Sequence, residues 1–231
     1  MLASLLLIGA VALADSQWGI LQYLRNMGEP TGDIQGLETQ VTKVAQQQTA
    51  FNTQVSIADA VFDGQRIALS LQYENTKPEK PVYLVVTGLT ANDQPVRMET
   101  ENDTPNHIWL PGIYFTEGHT KNGLFGTPQG PVSPGSLPVS VRVSVFKPIK
   151  PVRQIKHSEF SLENREVFQQ AYDAGFLPVI QDHIQIPEEV MAALAARHEG
   201  KDLNLEEALV ELGLMARQDL VFDFTLTVPD Y

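Results

Sequence analysis

The feature that most restricts the fold of this chain is the alternation of apolar and other residues in several short segments. In residues 139–146 a valine stands at every second position from Val139 to Val145, and residues 220–228 alternate in the same way. A period of two places alternate side chains on opposite faces of a strand. Each of these strands therefore has one apolar face that must be covered by another layer.

Further strands are predicted over residues 54–62, 66–74 and 82–86. The first two flank Asp63-Gly64, which predicts a type I′ hairpin because both central residues of that turn need positive φ. Residues 82–86 are apolar throughout, as is typical of a strand buried on both faces. Two antiparallel sheets packed face to face bury such strands most simply. The sequence therefore predicts a mainly β, immunoglobulin-like antiparallel β-sandwich.

A helical period separates the last two strands. Ser161 can cap a helix that ends at Gly175, and Pro187 opens a second helix that ends near Gly200. Asn204, with a glutamate three positions later, resembles the capping box of a third helix. Because the β pattern then returns, we expect a helical insertion over about residues 158–213 within one domain, which becomes α+β if the helices are extensive.

The N-terminus is apolar from Met1 to Ala14 but is shorter than the roughly 20 residues that a spanning helix needs. Its end resembles a signal-peptidase site, although no positively charged segment precedes it. Trp18, Tyr23 and Arg25 follow, as interfacial anchors would. These features favour a single-pass membrane anchor with the C-terminal domain extracytoplasmic. A secreted protein cleaved near Ala14 and a soluble packing helix remain alternatives.

The chain divides by pattern into three parts. Residues 1–25 form the anchor or signal-like segment, residues 26–53 a linker with a possible first strand, and residues 54–231 the β domain. The linker is rich in Gly, Pro, Thr and Gln. Its stretch 39–47 fits neither a strand nor a helix well, so both interpretations stay open there.

The N-terminal pattern also resembles a known group of proteins. The stretch Trp18 to Leu24 after an apolar run, followed by Val55 to Ile67, is similar to a bacterial family of uncharacterised, anti-sigma-factor-like single-pass membrane proteins. The resemblance covers about the first third of the chain and implies an extracytoplasmic domain of unknown function. In that family a cytosolic segment, which in some members binds a sigma factor, precedes the membrane helix; we expect no such segment within this sequence, and the resemblance implies no catalytic residues.

Charge and motifs exclude several functions. The chain carries 16 Lys and Arg against 28 Asp and Glu, a net charge of −12, which disfavours nucleic acid as a partner. It has no cysteine, so disulfides and thiolate chemistry are excluded. His198-Glu199 begins like a zinc-protease helix, but Asp202 stands where the second histidine should be. We expect no catalytic residue, no cofactor and no metal.

The segment 102–130 is the predicted recognition region because it is long and rich in aromatic and histidine side chains. The candidate residues are His107, Trp109, Tyr114, Phe115, His119 and Phe125. The competing interpretation is a pair of strands around Pro111-Gly112 whose rings are buried in a core.

These observations predict a non-enzymatic extracytoplasmic sensor or interaction domain of a bacterial cell-envelope protein. Its expected partners are an unknown envelope protein or a glycan ligand, and the membrane through the N-terminal segment. One alternative is a secreted or anchored carbohydrate-active hydrolase that uses paired carboxylates. A purely structural envelope domain is the other.

Overall fold

The computed structural model describes residues 40–77, 82–98, 108–109, 119–156, 158–159, 166–180, 183–197, 205–228 and 230. The strands are β1 (Thr42–Ala50), β2 (Thr53–Phe62), β3 (Ile67–Asn75), β4 (Tyr83–Ala91), β5 (Gln94–Met98), β6 (Ile108–Trp109), β7 (His119–Pro128), β8 (Gly135–Pro148), β9 (Val152–Gln154), β10 (Leu177–Ile180), β11 (His183–Ile184) and β12 (Met215–Val228). The helices are α1 (Glu166–Asp173), α2 (Glu188–Arg197) and α3 (Leu205–Glu211). The predicted anchor over 1–25 lies outside the described residues. No helix in the described ranges is long and apolar enough to span a bilayer.

The main sheet follows the order β1-β2-β3-β7-β5-β4-β8-β12, and β6 pairs with β4 beside this path. Neighbouring strands in it are antiparallel. The β4–β5 hairpin joins the half formed by β1, β2, β3, β7 and β5 to the half formed by β4, β8 and β12. The predicted mainly β class is confirmed. The immunoglobulin-like division into two sheets stays a prediction, because one path of hydrogen bonds connects all these strands.

One apolar core joins the two halves of the sheet. Ile57 of β2 and Leu69 of β3 belong to the same buried cluster as Val143 of β8 and Phe222 of β12, and all four are fully buried. The alternation predicted for residues 139–146 and 220–228 is confirmed, because the valines of β8 and the even-numbered residues of β12 from Leu220 to Val228 face this core.

A second core lies on the other side of the three-strand half. Tyr83 and Val85 of β4 and Phe146 of β8 pack with residues of β10, α3 and the start of β12. Val82, Leu84 and Val86 belong to the main core, so the prediction that residues 82–86 are buried on both faces is confirmed. Such burial explains an uninterrupted apolar run in an antiparallel sheet.

The three described helices lie between β9 and β12, where the sequence predicts them. α2 begins directly after Pro187, and α3 begins directly after the predicted capping residue Asn204. The small sheet β11-β10-β9, in which β9 and β10 are parallel, was not predicted. The division of the chain into anchor, linker and domain stays a prediction, although β1 pairs along its length with β2.

The turns at Asp63-Gly64 and Asn92-Asp93 differ in type. Gly64 has a φ of 94°, but the φ of Asp63 is not positive. The predicted type I′ turn at Asp63-Gly64 is therefore wrong, since it needs positive φ at both residues. The carboxylate of Asp63 instead accepts the backbone N–H of Gln65 at 2.9 Å and of Arg66 at 2.6 Å, which closes the loop through a side chain. Asn92 and Asp93 have φ of 50° and 60°, the pattern of a type I′ turn.

The first strand explains why its sequence fits no simple period. β1 contains a bulge between Lys43 and Gln46, and Ala45 there has a φ of 48°. A bulge shifts the alternation by one residue. Beyond it, the side-chain amides of Gln46 and Gln48 donate to backbone carbonyls of β12, the first at 2.6 Å to Asp223. The strand interpretation of this region is confirmed and the helical alternative is wrong.

Candidate functional site

The strongest candidate site is the face of β4, β8 and β12 that points away from the main core. We call it the polar face and define it by Thr90, Ser140, Arg142, Ser144, Asp219 and Asp223. Register places Thr90 opposite Ser140, and Ser140 opposite Asp223, in one row across three strands. Described residues of the insertion pack on this side at the Tyr83 and Phe146 end, where the second core lies. Farther along, Thr90 and Ser140 are half-buried, and Arg142 and Asp223 are exposed.

A groove lies at the end of the polar face formed by Thr90, Ser140 and Asp223. Its volume is about 320 Å³, which is at the low end of the range for small-molecule sites. The lining residues are Thr90, Asp93, Pro138, Val139, Ser140, Asp223, Phe224 and Thr225. The type I′ turn brings Asp93 to the groove, and the backbone N–H of Asn92 donates to the carbonyl of Pro138 at 2.9 Å. Two carboxylates and three hydroxyls therefore meet where β4, β8 and β12 run side by side.

A hydrogen-bond network fixes the middle of the polar face. Ser144 is fully buried, and its hydroxyl donates to Oδ1 of Asp219 at 2.8 Å. The hydroxyl of Thr87 lies 3.0 Å from that of Ser144. Asp219 accepts two hydrogen bonds from Arg217, from Nε at 2.7 Å and from Nη2 at 3.0 Å. This bidentate geometry orients both charged groups.

Arg217 connects the network to the second core. The centre of its guanidinium lies 5.8 Å from the centroid of the Phe146 ring, within the range of a cation–π contact. The hydrogen bond to Asp219 raises the pKa of Arg217 above its usual value against the opposing effect of burial, and the charges of Asp219 and Glu207 raise it further. Glu207 lies in α3, so a charge of the helical insertion acts on Arg217 beside the polar face.

The pKa of Asp219 is lower than that of an ordinary carboxyl group. Partial burial alone would raise it, but hydrogen bonds from Arg217 and Ser144 and the positive charges of Arg217 and Arg142 together outweigh burial. The ionised form of Asp219 is therefore stabilised in the folded protein. A depressed folded-state pKa adds stability above the ordinary value of about 3.9, and this stability is lost as the pH falls through the folded-state pKa.

We expect Asp219→Asn to lower the free energy of unfolding by about 1 kcal/mol at neutral pH, because the amide weakens the Arg217 pair and the Asp219 side chain is 35% exposed to screening solvent. The difference from the wild type should stay constant above about pH 5 and shrink below about pH 3.9. Urea unfolding across this range measures it. Asp230→Asn, at an exposed position, is the control and should change stability by less than about 0.5 kcal/mol. If the difference in unfolding free energy between Asp219→Asn and the wild type grew as the pH fell, the lowered pKa of Asp219 would be contradicted.

Charges alternate in sign along the polar face. Ser140, Arg142 and Ser144 are successive residues on this side of β8, and Asp223 and Asp219 lie opposite Ser140 and Ser144 on β12. The exposed Arg142 thus stands between the two aspartates. On β4 its pairing partner is Gly88, where an added Cβ would come 3.6 Å from Cβ of Arg142. The face can offer both hydrogen-bond donors and acceptors to a polar ligand.

The structure places the predicted recognition residues only in part. Trp109 lies in β6, and His119 and Phe125 lie in β7, but only their backbone positions are described. The other three, His107, Tyr114 and Phe115, lie outside the described residues. β6 supplies the first strand of the competing two-strand interpretation, while Pro111-Gly112 is outside the described ranges. The recognition role of this segment stays a prediction.

The described residues include no group of three or more His, Asp or Glu that could hold a metal ion. The carboxylate of Asp59 is buried, with the residue 2% exposed, and lies at a bulge of β2 away from the groove. The hydroxyl of Ser70 donates to Asp59 at 2.6 Å, and Nζ of Lys43 lies 3.5 Å from its other oxygen. These contacts satisfy Asp59 within the sheet, so we assign it a structural role.

Sequence reasoning predicted the alternation of the strands that carry the groove but did not predict the groove itself. The signal was the set of polar side chains that alternate with the core residues of β8 and β12. No protein-family model, curated protein or solved structure matches this chain. The resemblance to anti-sigma-factor-like membrane proteins therefore stays a prediction.

Proposed function

We propose that this chain is a non-enzymatic binding domain of a bacterial cell-envelope protein and that it recognises a glycan in the groove of the polar face. The observation that carries the proposal is the meeting of Asp93 and Asp223 with the hydroxyls of Thr90, Ser140 and Thr225 around one cavity. Membrane anchoring through residues 1–25, an extracytoplasmic location and a sensor role in anti-sigma-factor-type signalling belong to the same proposal.

The chemistry of the groove suits a polyhydroxylated ligand. Carboxylates accept hydrogen bonds, and serine and threonine hydroxyls both donate and accept them, as sugar hydroxyls require. Hydrogen bonds to charged acceptors are stronger than those between neutral groups. The network around Ser144 and Asp219 supports the adjoining part of the same strands, which favours a preorganised surface.

The competing function is a hydrolase in which Asp93 and Asp223 act as a carboxylate pair. Both residues are exposed to solvent. Catalytic carboxyl groups generally depend on a sheltered environment that separates their proton affinities. Their exposure therefore favours recognition over catalysis.

The experiment is titration of the full chain with a panel of envelope oligosaccharides, including an N-acetylglucosamine tetrasaccharide and soluble peptidoglycan fragments. We expect Asp93→Asn combined with Asp223→Asn to weaken binding at least tenfold, roughly the effect of one lost charge-assisted hydrogen bond. Asparagine is tolerated at the positive φ of Asp93, so the turn should be retained.

The matched control is Asp173→Asn combined with Asp230→Asn, which removes the same charge at two exposed positions away from the groove. It should bind as the wild type does. Equal affinity of the groove variant and the wild type would contradict the site, and absence of binding across the panel would contradict a glycan ligand. Shortened oligosaccharides in the incubated samples would support the hydrolase instead.

A further inference from the structure

A strongly basic stretch interrupts this acidic chain. Residues 147–156 contain Lys147, Lys150, Arg153 and Lys156 and no Asp or Glu, whereas the whole chain has a net charge of −12. The cations recur at every third position. The charge of Arg153 is partly compensated by Glu159, 3.5 Å away. Lys147 and Lys150 instead lie over aromatic rings.

These lysines lie beside aromatic side chains, of which Phe51 is exposed and Tyr172 is half-buried against the second core. Nζ of Lys147 is 5.6 Å from the ring centroid of Phe51, and Nζ of Lys150 is 4.7 Å from that of Tyr172. Between them Ile149 is 61% exposed, the highest value among the exposed large hydrophobic residues of the described chain. Phe51 is 37% exposed.

Backbone hydrogen bonds join the turn at residues 149–151 to neighbouring segments. The N–H of Ile149 donates to the carbonyl of Leu214, and the N–H of Leu177 donates to that of Pro151, both at 2.9 Å. The second bond brings Phe176, 36% exposed, next to the same turn. We call the whole group the basic tip. Its members are Phe51, Lys147, Ile149, Lys150, Tyr172 and Phe176.

The basic tip and the groove lie at opposite ends of β8. Ser140 lines the groove and Lys147 belongs to the tip, and the seven residue steps between them along the strand span about 23 Å. The molecule therefore presents an acidic groove at one end and cations with apolar side chains at the other. A surface that binds the tip leaves the groove free.

We propose that the basic tip docks on a bilayer surface that contains anionic phospholipid. Lysines attract anionic headgroups while their aliphatic stems cover apolar surface, and exposed Ile and Phe side chains enter the boundary between headgroups and acyl chains. If charge were the only criterion, an acidic protein could equally be the partner of the basic tip. The protruding apolar side chains between the cations favour the bilayer. The inference is independent of the proposed glycan groove.

The test is sedimentation of the full chain with phosphatidylcholine vesicles that contain or lack phosphatidylglycerol. The apolar residues 1–25 are expected to bind both vesicle types, so the ratio of the two partition coefficients isolates the electrostatic contribution. Each cation near an anionic surface contributes about fivefold to that ratio. Lys147→Gln combined with Lys150→Gln should therefore lower the ratio by about 25-fold.

Arg97→Gln combined with Arg197→Gln removes the same charge at exposed positions outside the tip and should retain the wild-type ratio. Circular dichroism of each variant checks folding. A retained ratio in the lysine variant, or an equal loss in the control, would overturn the proposal. Ile149→Ser should weaken binding to the anionic vesicles several-fold. If this variant binds them as tightly as the wild type does, the attraction is purely electrostatic, and insertion of apolar side chains into the bilayer surface is overturned.

Discussion

Phe222→Ala should lower the free energy of unfolding by about 3–5 kcal/mol. Phe222 is fully buried in β12, within the core that joins the two halves of the sheet. Removal of the ring takes apolar contacts from both halves and leaves a cavity that neighbouring β-strands close only in part. Chemical denaturation of the purified variant measures the loss.

Val221→Ala is the matched control because it changes the adjacent residue of the same strand. Val221 is 39% exposed and points to the opposite face, so its truncation should cost less than about 0.5 kcal/mol. A shift of the β8–β12 register by one residue would exchange the two faces of β12. A larger loss for Val221 than for Phe222 would therefore contradict the described register.

Gly126→Ala should destabilise the protein by about 1–3 kcal/mol through overpacking. A Cβ at Gly126 would lie 2.6 Å from Cγ1 of Val96 and 3.2 Å from the carbonyl oxygen of Arg97. A branched side chain and a backbone atom cannot both withdraw without movement of β5. Thermal or urea unfolding provides the measurement.

Gly130→Ala adds the same methyl group four residues later, where nothing lies within 4 Å of the new Cβ. It should leave stability unchanged or raise it slightly, because alanine reduces the freedom of the unfolded chain. Equal effects of the two substitutions would contradict the close approach of β7 and β5.

Local patterns predicted the parts of the fold that local physics determines. Alternation identified the inner faces of β8 and β12, and the proline before α2 and the asparagine before α3 marked the starts of those helices. Such features depend on neighbours in sequence. The prediction of a type I′ turn at Asp63-Gly64 was wrong because the Asp63 side chain closes the loop. A two-residue motif does not specify that side-chain contact.

The candidate site depends on pairing between distant segments. Thr90, Ser140 and Asp223 come from three strands, and only the register of β4, β8 and β12 brings them into one row. Alternation showed that β8 and β12 each have a polar side, but it does not determine which polar sides meet. The network of Ser144 and Asp219 needed the same register, and Thr87 joins it through a bulge in β4.

Glycan recognition in the groove is best tested by NMR chemical-shift mapping with an oligosaccharide selected from the binding panel, while the mass of that oligosaccharide is followed in the same sample. We expect the shifts to concentrate at Thr90, Asp93, Ser140, Asp223 and Thr225 around the groove and the ligand mass to stay unchanged. Shifts confined to other surfaces, or conversion of the ligand to smaller products, would contradict it.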